Sequence, residues 1–407
     1  MPRPVRTLLA GTLIATTTFV GAATSQSLDS EQVQTGDVFS GQALNVVSVD
    51  DQVTGATTAT GNALSGAVQN GRLQLRSDQQ LRARVDATTT MSAGQVGGAT
   101  TLVTTAVGNT GDVAAYRADL TADVAQTTGS TWINARSDIN TPAGRYLGGA
   151  GVSTTALANA QAFGVENGRA TYAVEQVSGA QVDAATSATV QYVPAPAAFT
   201  TSAVSNSVSA SGANAAQEAR VVQRTSGGPR TQAVTQVAAG NAWNLAGTAT
   251  AAANTATVAN QGGSLVAAFD QTNGGAVLAQ SSVSAYDFGA ASSMAYGVGN
   301  SSVASNNDVV VTVDNLQLNT GGVEAASEFT GHAGYDGYAS ATAIGNATTG
   351  YACSECAGVL NATSRQINDA DISASASINI TGSNRAVVGT STAIGNTASF
   401  YVSNPGG

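Results

Sequence analysis

Few side chains in this 407-residue chain have the chemistry to react or to coordinate. Cys353 and Cys356 form a C-x-x-C, a spacing that supports thiol–disulfide exchange in a redox enzyme or, beside a second pair, a zinc site. No second pair exists, so the spacing reads as a local disulfide, Cys353 to Cys356, in an oxidising compartment; its loop is too short to stabilise much of a fold. His332 is the single histidine, which excludes multi-histidine metal centres and most imidazole-based proton transfer. It lies in Phe329–Tyr338, together with Tyr335, Asp336 and Tyr338. Aromatic faces pack on the apolar faces of sugars and a carboxylate accepts hydroxyl hydrogen bonds, so these four residues are a candidate sugar contact. The same segment also reads as a tyrosine-bearing turn that covers a core. Trp132 and Trp243 read as fillers of gaps in a thin core, and Asp50–Asp51 as a solvated turn. No phosphate-binding loop, G-x-S-x-G, H-E-x-x-H or calcium loop occurs, so we assign no catalytic residue, no cofactor and no metal.

The elements that must carry these residues are set by an unusual composition. Charged residues make up 10% of the chain and aromatic residues 5%, against 43% hydrophobic residues. Low charge with this much apolar content argues against disorder and for a thin, repeated core. All 15 basic residues are arginine, against 25 acidic ones, and the pI is about 4.4. Such a chain has no basic patch to neutralise a run of phosphates, so nucleic acid is excluded as a partner. Arg3 and Arg6, the apolar stretch Leu8–Val20 and the small residues Gly21-Ala22-Ala23 have the order of a secretory signal over residues 1–23. The apolar run is too short to span a bilayer. The expected mature protein is exported and acidic.

Internal repetition follows. A Thr/Ser-Ala-apolar-small-Asn pattern ends at Asn62, Asn109, Asn159, Asn206, Asn254, Asn300, Asn346 and Asn396, with steps of 47, 50, 47, 48, 46, 46 and 50. A second marker comes about half a step later, at Val85-Asp-Ala, Ile133-Asn-Ala, Val182-Asp-Ala, Val323-Glu-Ala and Ile372-Ser-Ala; between about 210 and 290 it is not visible. Period-2 runs such as Ile372–Ile380 fill the intervals, and Gly-Asn, Asn-Gly and Gly-Gly pairs punctuate them. This predicts an all-β, elongated, repetitive β-solenoid with coils of about 24 residues paired into repeats of about 48, each coil burying a narrow row of small apolar residues. A stack of hairpins and a string of β-sandwiches are the competing architectures. At 24 residues per coil the mature chain would make roughly 16 coils in a rod near 75 Å. The asparagines would then fall on every second coil, too far apart for an amide ladder, and are read as turn formers. The predicted organisation is a signal at 1–23, a lead-in at 24–45, the repetitive β domain at 46–400 and a tail at 401–407.

An exported, lysine-free chain rich in Ala, Thr, Asn and Gly, with Thr-Ala-Ile-Gly-Asn repeats at 342–346 and 392–396, resembles the holdfast attachment protein D family, surface anchors of stalked alphaproteobacteria. The resemblance implies a non-catalytic adhesin at the cell surface, associated peripherally with the outer membrane. It would fasten an adhesive polysaccharide there beside a curlin-like subunit and a curli-type outer-membrane secretion channel. It brings no catalytic motif to transfer. The competing function is a curli-like amyloid subunit or nucleator that polymerises through exposed solenoid ends. The chain is read as lacking the regular glutamine positions of curlin repeats, which weighs against that competitor.

Overall fold

Alternating strands bury one face only when something covers it, and here the walls of the stack cover one another's inward faces while each coil pairs edge to edge with the next. The computed structural model describes residues 25–307, 310–353 and 358–402. The expected signal at 1–23, Cys356 and residues 403–407 lie outside them. The described residues form parallel strands in stacked sheets and contain no helix. Each coil has three walls, built from three strands in coils one to four and eight and from two in coils five to seven, where the second and third strands run on as one. In the first coil the strands are Ser25–Gln34, Val38–Val49 and Val53–Gln69; in the last they are Val359–Asn368, Ile372–Ile380 and Ala386–Val402. The first strands stack into one eight-stranded sheet, which fixes the number of coils at eight.

Register corrects the expected coil length. Ser25 pairs with Arg72, and Val53 with Thr100, so one coil is about 48 residues and not 24. The half-step marker is the start of the second strand of the same coil: Val85 pairs with Ile133, Ile133 with Val182, Val277 with Val323 and Val323 with Ile372. The unplaced copies between 210 and 290 are Thr231 and Val277, which pair with each other. Eight coils at about 4.8 Å make a stack about 38 Å tall, half the expected rod. Residues 25–45, expected as a lead-in, belong to the first coil, and Tyr401 and Val402 close the last strand.

The asparagines are not turn formers. Each sits inside the third wall's strand, fully buried from Asn109 to Asn346, at a one-residue change of phase where two successive residues face inward, as Ser205 and Asn206 do. Directly stacked coils bring them together, and an amide ladder runs the length of the molecule. The Nδ2 of Asn62 donates to Oδ1 of Asn109 at 2.8 Å, Asn109 to Asn159, Asn159 to Asn206, and so on to Asn346 and Asn396. The repeat motif follows from this. Its small residue before each Asn faces the backbone of the next coil: a Cβ on Gly345 would lie 2.5 Å from the carbonyl O of Gly395. Its Ala lines the narrow waist of the interior, where Ala59, Ala106, Ala156, Ala203, Ala251 and Ala343 stack. On either side of the waist the interior widens to hold Phe163 and Tyr172, stacked at 4.6 Å, and Phe288 and Phe329, edge to face at 5.0 Å.

A second ladder corrects the reading that regular glutamines are missing. Gln32, Gln79, Gln126, Gln176, Gln223, Gln271, Gln317 and Gln366 stack on the first strands, each donating Nε2 back to the Oε1 before it. The two columns clamp opposite walls. Asn206 donates its other N–H to the carbonyl of Arg224 on the first-strand wall, while Gln223 donates its other N–H to the carbonyl of Thr255 on the third-strand wall. Those carbonyl contacts fix which end of each amide is nitrogen, so the Asn column donates toward the C-terminal coil and the Gln column toward the N-terminal coil. A third column is made of hydroxyls: Thr57, Thr89, Thr104, Ser137, Thr154, Thr186, Thr201 and Thr235 link second and third strands at 2.7–2.8 Å.

Candidate functional site

An interior filled by side chains and tied by these columns leaves the outer surface to do the binding, and the informative surface is where large aromatic rings stand in water. Both tryptophans are there. Trp132 is 52% exposed and Trp243 55% exposed, which corrects their reading as core fillers. Trp243 lies at the corner where the second strand of each coil passes into the third.

That corner is built differently along the stack. In coils three and four the chain turns through Gly148-Gly149 and Pro194-Ala195-Pro196; Gly149 has φ +84° and packs against the carbonyl of Pro196, where a Cβ would be 2.2 Å from the oxygen. From coil five to coil seven the strand runs straight through the corner, over Arg230–Gln261, Ala276–Asn306 and Val323–Ala352. The outward side chains then form a stripe. Arg145 lies 5.3 Å over the ring of Tyr192 in the next coil, Tyr192 pairs in register with Asn241, and Asn241 with Asp287. Beside this column Trp243 reaches across a whole coil to meet Tyr335 edge to face at 5.9 Å. Gly289 makes the reach possible, because it leaves the intervening position empty. A Cβ there would be 2.3 Å from the Trp243 carbonyl oxygen and 2.9 Å from its ring. Arg385 closes the far end, 5.6 Å over Tyr335. Together these groups border a hollow of about 570 Å³ lined by Tyr192, Pro194, Trp243, Asp287, Phe288 and Tyr335 among others. From coil three to coil eight the stripe is about 24 Å long.

The four expected sugar contacts are only partly gathered here. Tyr335 is in the hollow. His332 stands on the outer rim, its ring stacked on Tyr286 at 4.4 Å and its Nδ1 3.9 Å from Asp287. Asp336 does not face the hollow as a bare carboxylate. It makes a two-point ion pair with Arg385, which holds its carboxyl below the usual carboxylate range and fixes the guanidinium over Tyr335. Tyr338 is on the outer face of the third strand, where hydrogen bonds from Ser340 and Thr390 lower its pKa. Tyr192, Trp243, Tyr286 and Asp287 are the members that sequence reasoning missed. Aligning the chain at its own 46–50 step would have placed Arg145 over Tyr192 and Trp243 in phase with Tyr335. Cys353 is buried at the end of a long strand; its expected partner, Cys356, lies outside the described residues. Among the described residues no three His, Cys, Asp or Glu side chains gather around a common point that would hold a metal.

A second hollow, of about 620 Å³, lies at the corner between the third strand and the next coil, where Asn70, Arg117 and Asn167 adopt positive φ. It is lined by polar groups, including the Arg72–Asp119 pair at 3.5 Å, and no aromatic ring lines it. Of these two hollows, the one at the Trp243 corner combines flat apolar faces with a carboxylate and has a guanidinium over one of its rings, the combination suited to a polyhydroxylated chain.

The Gly289 gap gives a direct check on this geometry. Gly289→Ala should displace the Trp243 ring, read as a shift and change in intensity of its emission in a Trp132→Phe background, with the β-sheet circular dichroism retained. Unchanged emission would mean that Trp243 does not lie over Gly289.

A family model described as holdfast attachment protein D matches residues 47–322, about two thirds of the chain. No curated protein and no solved structure matches. The match ends within coil seven, yet the stacking continues in the same register through Val402.

Proposed function

The chain belongs to the holdfast attachment protein D family, and on that premise we propose that it is an exported, non-catalytic anchor that fastens an adhesive polysaccharide to the outer membrane. The family gives a role in holdfast attachment at the cell surface. The observation that supports polysaccharide as the ligand is the stripe formed by the exposed rings of Trp243 and Tyr335 and the half-buried ring of Tyr192, flanked by Asp287 and Arg385 along one corner. Rings offer flat apolar faces to sugars, and charged groups at the edges take the hydroxyls. Repetition of the stripe over several coils lets weak contacts to a repetitive polymer add through high effective concentration. A stiff prism tied by three internal columns resists deformation when such a polymer is pulled. The curlin-like subunit and the curli-type secretion channel are the partners this reading carries with it.

Deleting the gene in its native host and labelling the adhesive polysaccharide tests the reading. Polysaccharide made in normal amount but shed into the medium is the expected result. Polysaccharide that stays at the cell surface would overturn the anchor role.

A further inference from the structure

Asp287 is the only charged residue among those that line the hollow at the Trp243 corner. Among the described residues no arginine pairs with it, and the one ion-pair partner within reach is His332, whose Nδ1 lies 3.9 Å from its Oδ1, beyond hydrogen-bond distance. The other carboxylate of this corner, Asp336, is engaged at two points by Arg385. The rings differ in the same way. Arg145 lies 5.3 Å over Tyr192 and Arg385 lies 5.6 Å over Tyr335, whereas Trp243, between them in the stripe, has no guanidinium over it among the described residues. Indole is the side-chain ring that attracts a cation most strongly. The unpaired carboxylate and the uncovered indole therefore stand together in the middle of the stripe, with guanidinium groups at its two ends.

We infer that this middle position takes the ammonium group of an amino sugar, so that the polymer held here carries free amines. The inference rests on the reading of the hollow as a polysaccharide site and adds the chemistry of the unit it selects. Asp287 precedes Gly289 by two residues on one strand, which puts it about 7 Å along the row from the empty position that Trp243 crosses. That span admits an ammonium in contact with the carboxylate and within the roughly 6 Å of a ring centroid over which cation–π attraction acts. Phe288, almost fully buried, forms the floor, and Gly289 and Gly334 beside it add no side chain; a Cβ on Gly334 would lie 2.5 Å from the Phe288 ring. A floor without side chains leaves room for a sugar ring, and Asn241 and Ser383, which also line the hollow, offer donors and acceptors to its hydroxyls. Acetylating the amine removes its charge, and with it both the ion pair and the cation–π contact. The net charge of −10 on the whole chain draws a cationic polymer in from a distance, while Asp287 and Trp243 decide which unit settles in the hollow.

The test measures, by titration calorimetry at neutral pH and low salt, the binding of two soluble probes to the purified mature chain: a glucosamine oligomer with free amines and the same oligomer fully N-acetylated. The free-amine oligomer should bind about tenfold more tightly, and added salt should shrink the preference. Asp287→Asn keeps the shape of an exposed side chain. It should bring the two oligomers to within about twofold of each other and leave the affinity for the acetylated one unchanged. Glu218→Gln removes a negative charge from the exposed face of the first wall and should leave the preference intact. A preference that survives Asp287→Asn, one that Glu218→Gln abolishes equally well, or no binding of either oligomer would each overturn the inference. So would a lysine oligomer that binds as tightly as the glucosamine oligomer with the same dependence on Asp287, since the hollow would then select the ammonium groups of a protein. Equal binding of both oligomers, lost in Trp243→Ala, would overturn ammonium recognition while leaving the hollow as a polysaccharide site. The anchor role fails separately, through polysaccharide that stays on cells lacking the gene.

Discussion

Replacing Asn206 by leucine should destabilise the protein by about 3–6 kcal/mol, since several buried polar groups lose their partners at about 1–3 kcal/mol each. Asn206 accepts from Asn159, donates to Asn254 and donates to the carbonyl of Arg224, and it is fully buried. Leucine supplies none of these groups, and the strand pairing that locks the coils prevents the neighbours from moving apart to reach water. Coil four is central, so the substitution also separates three coils on one side from four on the other. In a linear array, stability is a sum over neighbouring contacts, and a weak central contact splits unfolding into separate steps. Denaturant unfolding followed by circular dichroism should therefore show a lower first midpoint and a broadened or two-stage transition. Asn244→Ala, at an exposed position, should stay within about 0.5 kcal/mol of the unaltered protein. A cost below about 1 kcal/mol for Asn206→Leu would mean the column contributes little to the stack.

The double variant Trp243→Ala with Tyr335→Ala should lose most of the polysaccharide affinity and almost none of the fold. Both rings are more than half exposed, so their removal leaves no cavity in the interior. Central aromatic contacts in binding surfaces are worth about 2 kcal/mol each when truncated, which for two rings predicts binding weaker by a factor on the order of several hundred. Retention of labelled holdfast polysaccharide on immobilised protein measures this, and shedding of the polysaccharide from cells that express the variant is the matching readout in the host. Removing Trp132, which is also exposed but not part of the hollow, serves as the control. Equal binding by the double variant and the control would show that the polymer is held elsewhere on the molecule.

The class of fold was legible in the residues alone. Period-2 alternation, small inward residues and asparagines recurring at 46–50 positions leave few structures other than stacked parallel coils. Coil length was a different matter. One marker, the asparagine, belongs to the middle of the third strand, and the other, Val85 or Ile133, to the start of the second. These are opposite walls of one coil about half a circuit apart, and spacing alone cannot distinguish that from two successive coils. The choice matters physically, because direct stacking brings amides into hydrogen-bond contact, whereas alternate stacking leaves them a full coil apart.

The glutamine column shows the limit in another way. Gln79, Gln126 and Gln176 have the same spacing as the asparagines, but their neighbours vary, since each flanking residue faces solvent or a different part of the core. The Trp243 corner was less legible still. Its members come from six coils, and their meeting depends on the strand running straight through the corner and on the empty position at Gly289. Sequence order records which residues lie on a strand. Whether a tryptophan fills a core or lies across its neighbour's glycine in water is decided only when the coils close, because the register then sets what stands beside it.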